Sequence, residues 1–278
     1  MEATKKSLKG SKALLTLVES SIMIALSTVL SVIPLFEMPY GGSITLASFL
    51  PIAVIAYRHG IKNGLATATV AAVIQMLLGM KNFSYFTTLT SLIALAVFDY
   101  ILAFAVFGLC GCFRKVIKNQ PLSILAGAAM ACAVRYICHV ISGATVWAGL
   151  SIPTEAALLY SLSYNATYMV PETVILLLSA IYIGSAVDFR TKMPTRMKIE
   201  KLDAISSWLV IGAGLVTLGG LIADTVLVFS KLQNYESGDF MIMGLKDVNW
   251  LAVGIITAAC LLVAALLVTL AARRAKKI

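Results

Sequence analysis

Eight apolar runs, most of them close to the length of a bilayer crossing, constrain this chain more than any other feature. They fall at about residues 13–35, 43–57, 62–79, 91–113, 122–147, 157–186, 204–230 and 249–272. A helical crossing takes roughly 20 apolar residues, and inside hydrocarbon every backbone polar group has to be satisfied within the protein. Composition agrees, with 60% hydrophobic and only 13% charged residues, too few charges to cover a soluble surface. The spacing predicts an all-α polytopic membrane protein with about eight transmembrane helices, the second short and tilted or partly re-entrant. No small-residue cleavage site and soluble domain follow the first run, so it is expected to remain as the first helix.

A net charge of +9 would point to nucleic acid in a soluble chain. Here its distribution reads as topology instead. Lys5, Lys6, Lys9 and Lys12 precede the first run, and Arg58 and Lys62 separate the second from the third. Arg114, Lys115 and Lys118 follow the fourth. Arg190, Lys192, Arg196, Lys198 and Lys201 follow the sixth, and Arg273, Arg274, Lys276 and Lys277 end the chain. Of the 22 basic residues, only Lys81, Lys231, Lys246 and the intramembrane Arg135 fall elsewhere. The reading is a multi-pass cell-membrane protein with both termini cytoplasmic and no nucleic-acid partner. The most polar stretch, 189–203, contains Pro194 and divides the chain into a six-helix domain (1–188), a cytoplasmic linker (189–203) and a two-helix extension (204–278). The halves show no repeat, so an inverted-repeat carrier gains no support.

Ionisable residues at membrane depth are costly and mark candidate sites. At about 1.5 Å per residue, Asp99 on the fourth run, His139 on the fifth and Asn165 on the sixth each lie about 12–13 Å below the outer surface. Tyr100 follows Asp99, Trp147 lies eight residues beyond His139, placing it two turns above on the same face, and Tyr160 lies five residues above Asn165. A carboxylate, an imidazole, an amide and several ring faces suit a small, flat, cationic solute. The carboxylate balances its charge, the rings attract it by cation–π contact and the amide reads a heterocycle edge. Arg135 and Glu172, both about 20 Å down, are expected to form a structural ion pair, since each charge alone would be strongly disfavoured. Pro171 is expected to kink its helix. Asp224 has no evident partner.

Other chemistry is mostly absent. Cys110, Cys112, Cys132, Cys138 and Cys260 all lie in or beside apolar runs and read as packing. There is no phosphate-binding loop, no HExxH, no GxSxG and no paired intramembrane aspartates. The chain is therefore expected to be no enzyme and to need no metal or cofactor.

Certain segments are similar to the thiamine-specific substrate-binding (S) subunit of energy-coupling-factor (ECF) transporters. They are Phe98-Asp99-Tyr100-Ile101-Leu102-Ala103-Phe104, Val134-Arg135-Tyr136 with His139 and Trp147, and Leu159-Tyr160-Ser161-Leu162-Ser163 with Asn165. Ile33-Pro34-Leu35, Ser43-Ile44-Thr45-Leu46 and Tyr57-Arg58-His59-Gly60-Ile61-Lys62-Asn63-Gly64 also resemble that family, over residues 13–186 in all. The resemblance implies a six-helix S-component-like bundle plus two additional helices, with Asp99, Tyr100, His139, Trp147, Tyr160 and Asn165 as thiamine-binding residues. It carries over no pocket residue between Lys81 and Thr90. The partners it implies are thiamine, a transmembrane coupling subunit and two cytoplasmic ATPases, besides membrane lipid. Small residues at spacing four on the first helix, Ser21 with Ala25 and Ser27 with Ser31, allow close helix contact. A thiamine precursor or another flat heterocycle, or an ion-coupled secondary carrier, are the other readings.

Overall fold

The computed structural model describes residues 2–38, 41–150, 154–197, 204–232 and 242–275. Lys198, Lys201, Lys276 and Lys277 of the basic count, and the last six residues of the proposed linker, lie outside them. The chain divides into two compact units, Met1–Met197 and Lys198–Ile278.

In the first unit, helix α1 (Glu2–Ser31) leads into a small antiparallel hairpin, β1 (Pro34–Glu37) and β2 (Ser43–Thr45). Two helices follow, α2 (Leu50–His59) and α3 (Ile61–Leu78). A short 3-10 turn, Met80–Tyr85, precedes α4 (Leu89–Lys115). Then come α5 (Gln120–Thr145), α6 (Ala157–Ala186) and a second hairpin, β3 (Val187–Asp188) with β4 (Thr195–Arg196). The second unit holds α7 (Ala204–Leu232) and α8 (Trp250–Ala275).

All of these helices except α2 are long and apolar enough to cross a membrane. The expected run 43–57 splits into β2, a turn and the ten-residue α2. This is the short second element that the sequence predicts, and it does not reach across a bilayer as helix alone. Seven consecutive α2 residues, Pro51 to Tyr57, are buried. A helix buried on every face belongs to a core, and α2 is the core of the bundle. Phe49 at its start stacks with Phe104 (4.9 Å) and with Phe107 (4.6 Å) of α4. Val54 and Tyr57 pack with Ile124 of α5, Ala180 of α6 and Phe189. Glycines let backbones touch here: a Cβ on Gly111 of α4 would stand 2.1 Å from the Ala56 carbonyl oxygen.

The helix boundaries have local causes. Asn119 accepts a hydrogen bond from the Leu122 backbone N–H and Pro121 occupies the first turn of α5, a start signal written in the sequence. Thr88 caps α4 by accepting from the Ser91 N–H. α1 ends at Ser31, earlier than the hydropathy run, because Pro34–Glu37 pair with Ser43–Thr45 instead. α6 runs continuously through Pro171.

On α1, Ser31 accepts a 2.7 Å bond from Gln75 of α3 and Ser27 is buried, whereas Ser21 and Ala25 stay exposed. The two small-residue pairs thus divide, one turned to the bundle and one away from it. In the second unit Asp224 accepts a 2.6 Å bond from Thr257 across α7 and α8. This corrects the expectation that it lacks a partner, since helix pairing brings a hydroxyl 33 residues away to its level. The five cysteines are free thiols.

Candidate functional site

α4 is not a uniform helix. Its hydrogen bonding widens to π-helical over Ala96–Leu102, returns to α at Ala103–Ala105 and tightens to 3-10 over Val106–Lys115. Successive residues on an ideal α-helix point about 100° apart, yet Asp99 and Tyr100, both in the widened stretch, line one cavity. Local π-helical turns are frequent at functional sites.

That cavity, of about 150 Å³, lies among α4, α5 and α6 at the end of the bundle away from the basic loops. All six residues expected as pocket positions line it: Asp99, Tyr100, His139, Trp147, Tyr160 and Asn165. Asp99 is held from two sides. Its Oδ1 lies 3.1 Å from His139 Nδ1, and its Oδ2 accepts a 2.8 Å bond from the Trp147 indole N–H. A carboxylate only accepts, so the imidazole proton sits on Nδ1. The Trp147 expectation needs correction. α5 stops at Thr145, so Trp147 is not a helical residue two turns above His139 but belongs to the turn that follows, its N–H bonded to the Ser142 carbonyl. There it is enclosed by Phe86 (centroids 5.0 Å, edge-on) and Tyr85 (5.9 Å).

Tyr100 donates to the Gly79 carbonyl at 3.1 Å and accepts from Asn82 Nδ2 at 3.0 Å. A Cβ at Gly79 would lie 2.2 Å from the Tyr100 hydroxyl, so only glycine leaves room for the ring. The Asn165 amide is engaged mainly with the protein. Its Nδ2 donates to Ser161 and to the His139 carbonyl, and its Oδ1 accepts from Tyr168 at 2.7 Å. These bonds fix α5 against α6, and Asn165 also stands in the cavity wall. Tyr160 stacks with Tyr164 at 6.4 Å.

Below these residues the Arg135 guanidinium is paired with Glu172. It lies over Phe49 and Phe104 at 5.1 and 5.0 Å from the ring centroids. Glu172 also accepts a 2.6 Å bond from the Thr45 hydroxyl, tying β2 to the pair. Arg135 has a second place, since it forms part of the cavity wall.

The sequence reading missed Gly41, Gly42, Ser43, Asn82, Phe104, Gly143, Tyr164 and Tyr168, which with Arg135 make up the rest of the lining among the described residues. Some of these carried a readable signal. Tyr164 and Tyr168 follow Tyr160 at intervals of four, and Gly143 and Arg135 flank His139 at the same interval, so each set shares a helix face. The loop residues carried none. Tyr164 donates to the Gly41 carbonyl at 2.7 Å. Gly42, at φ +92, would press a Cβ to 2.9 Å from the Tyr168 ring, so its backbone and its neighbour both require glycine.

Three buried polar atoms on this wall have no partner among the described residues: Asn82 Oδ1, His139 Nε2 and Arg135 Nε. Buried polar atoms are ordinarily hydrogen-bonded, and these three belong to residues that line the same cavity. With Arg135 paired to Glu172, Asp99 is the acidic side chain of the wall among the described residues. The arrangement can hold a flat cation that has donors of its own. Among the described residues no three His, Cys, Asp or Glu side chains gather as a metal-binding group.

The sequence model of a family described as thiamine transporter protein matches residues 17–192. Among curated proteins the chain is similar to the thiamine transporter ThiT of Bacillus subtilis (strain 168). The two are 34% identical over 176 residues, 59% of this chain and 88% of that protein. Among solved structures it is similar to ThiT from Listeria monocytogenes, with a TM-score of 0.51 and 24% identity over 62% of this chain and 94% of that one. At that identity the structural likeness speaks for the fold.

Proposed function

The chain belongs to the thiamine transporter protein family, and on that premise we propose that it is the thiamine-binding subunit of an ECF-type importer. It captures thiamine from outside the cell for ATP-driven uptake. The Asp99 carboxylate, with Tyr100, His139, Trp147, Tyr160 and Asn165, forms the binding site. The observation that carries this reading is the Asp99 carboxylate, fastened by His139 and Trp147 in an aromatic-walled cavity. A carboxylate with both oxygens already in place has lost its freedom to reorient, so it meets a cation without a further ordering cost.

Thiamine offers what that wall lacks. Its thiazolium ring is a permanent cation, for Asp99 and the ring faces. Its aminopyrimidine can exchange hydrogen bonds with polar side chains of the lining such as Asn82 and Arg135. Arg135 and Glu172 are the structural pair beneath the site.

Energy for uptake comes from a membrane coupling subunit and two cytoplasmic ATPases, in keeping with the absence of a phosphate-binding loop in this sequence. The exposed Ser21 and Ala25 on α1 allow close approach of a partner helix. Both termini are cytoplasmic on the basic-loop count. Residues 1–188 form the binding domain, 189–203 the linker and 204–278 an extension.

The test is native mass spectrometry of the purified chain, followed by titration with thiamine. Thiamine carried through purification, and saturable rebinding after its removal, is the expected result. Tighter binding of a precursor, or uptake that persists without the ATPases and collapses with an ion gradient, overturns this reading in favour of a different substrate or an ion-coupled carrier.

A further inference from the structure

At the opposite end of the first unit from the aromatic cavity, α1, α2, α4 and the segment after α6 surround an open cleft of about 680 Å³. Six basic side chains line it: Lys12, Arg58, Arg114, Lys118, Arg190 and Lys192. Their roles differ. Arg58 is held by Glu19 at 2.6 Å and donates to the carbonyls of Phe189, Thr191 and Lys192, so it is part of the frame. Arg190 is held by Asp188 at 2.9 Å, and Arg114 makes one bond, to the Arg58 carbonyl at 3.3 Å. The side-chain ammonium groups of Lys12, Lys118 and Lys192 have no ion-pair or hydrogen-bond partner among the described residues. Glu19 and Asp188 are the carboxylates paired into the cleft, which leaves a strong excess of positive charge in a concave space.

The cleft's level is also defined. Lys12 opens the first apolar span, Lys118 lies between the end of α4 at Lys115 and the start of α5 at Gln120, and Lys192 follows the end of α6 at Ala186. All three stand where apolar helix gives way to the polar face of a bilayer, the depth of lipid headgroups. Leu15 and Tyr57 supply apolar wall beside them.

We propose that this cleft binds the phosphate headgroup of an anionic phospholipid. Ammonium groups crowded into one cleft repel each other, and an oxyanion among them replaces that repulsion with charge-assisted hydrogen bonds. Basic pockets between transmembrane helices at the cytoplasmic face are suited to such headgroups. A soluble phosphate carries the same oxyanion without the acyl chains, and the experiment separates the two.

Full-length protein is placed in nanodiscs of phosphatidylcholine mixed with phosphatidylglycerol, extracted into mild detergent, and its retained lipid is read by native mass spectrometry. The expected result is preferential retention of phosphatidylglycerol. In the Lys118→Gln/Lys192→Gln variant retention falls about five-fold for each lysine removed, the equivalent of about 1 kcal/mol per basic side chain near an anionic surface. Neither lysine side chain makes a hydrogen bond among the described residues, and the Lys192 carbonyl that accepts from Arg58 is kept in the variant. Gel filtration with circular dichroism checks that the variant is intact. Equal retention of both lipids, or undiminished phosphatidylglycerol on the folded variant, overturns the proposal. A second arm titrates inorganic phosphate by calorimetry into protein held in nanodiscs of phosphatidylcholine alone. The expected result is no heat of binding. Heat that disappears in the double variant assigns the cleft to a soluble phosphate and overturns the lipid.

Discussion

The indole N–H of Trp147 donates to Asp99 Oδ2 at 2.8 Å, across 48 residues of sequence. One bond thus joins the π-helical stretch of α4 to the turn beyond α5, and it makes an aromatic wall and a carboxylate into a single rigid unit. His139, at 3.1 Å from the other oxygen, completes the clamp. Changes at Asp99 therefore act on charge and on the positions of two neighbours together.

Asp99→Asn is expected to weaken thiamine binding by about 30-fold or more, the equivalent of roughly 2–5 kcal/mol for a close charge contact in a desolvated pocket. A thiamine analogue with a neutral ring in place of the thiazolium should lose much less, since it never used the charge. Calorimetric titration of both ligands decides the matter. Equal losses would mean that Asp99 works chiefly by holding His139 and Trp147.

Thiamine is expected to quench the fluorescence of Trp147, the indole on the cavity wall. Trp208 and Trp250 are 71% and 54% exposed on α7 and α8 and should report nothing. Trp147→Phe should abolish the ligand-dependent quench, and a full quench in that variant would remove Trp147 from the site.

Gly79→Ala is expected to lower thiamine affinity. The added methyl meets the Tyr100 hydroxyl at 2.2 Å, and crowding of that kind costs about 1–3 kcal/mol. Tyr100 must leave its bonds to Gly79 and Asn82. Adding Tyr100→Phe removes the nearest clashing atom and leaves ring carbons at 2.8 Å, so the double variant should recover part of the affinity lost in Gly79→Ala. No recovery would place the damage in the ring contact or in the backbone at Gly79.

Reversing Arg135 or Glu172 singly should reduce folded yield more than reversing both, because a lone buried charge costs about 3–5 kcal/mol. Yield and thermal midpoint of the four proteins form the cycle. Purely additive effects would rule out a direct energetic coupling, despite the pairing of Arg135 with Glu172 in the structure.

A chain truncated after Met197 should bind thiamine within a few-fold of full length. Among the described residues the cavity lining runs from Gly41 to Tyr168, and the cut keeps the β3–β4 hairpin. Loss of binding in a truncated chain that still folds would place part of the site in α7 or α8.

The sequence by itself determined the membrane class, the helix order and the level of Asp99, His139 and Asn165. Hydropathy, basic loops and a fixed rise per residue are local quantities, and lipid leaves a helix few alternatives. It also determined that Arg135 and Glu172 lie at one depth. What it did not contain was direction around each helix axis, or the path of the chain between helices. Tertiary structure decided that Asn165 bonds the helices together, because Ser161 and Tyr168 lie within reach of its amide. It brought Gly41, Gly42 and Asn82 to the cavity from loops with no periodicity to read. It widened α4 at Asp99, and it shortened the second span to α2 so that a buried helix could carry Phe49 beneath Arg135. These outcomes depend on which surfaces fill space against one another, a property of the packed bundle that no single segment holds.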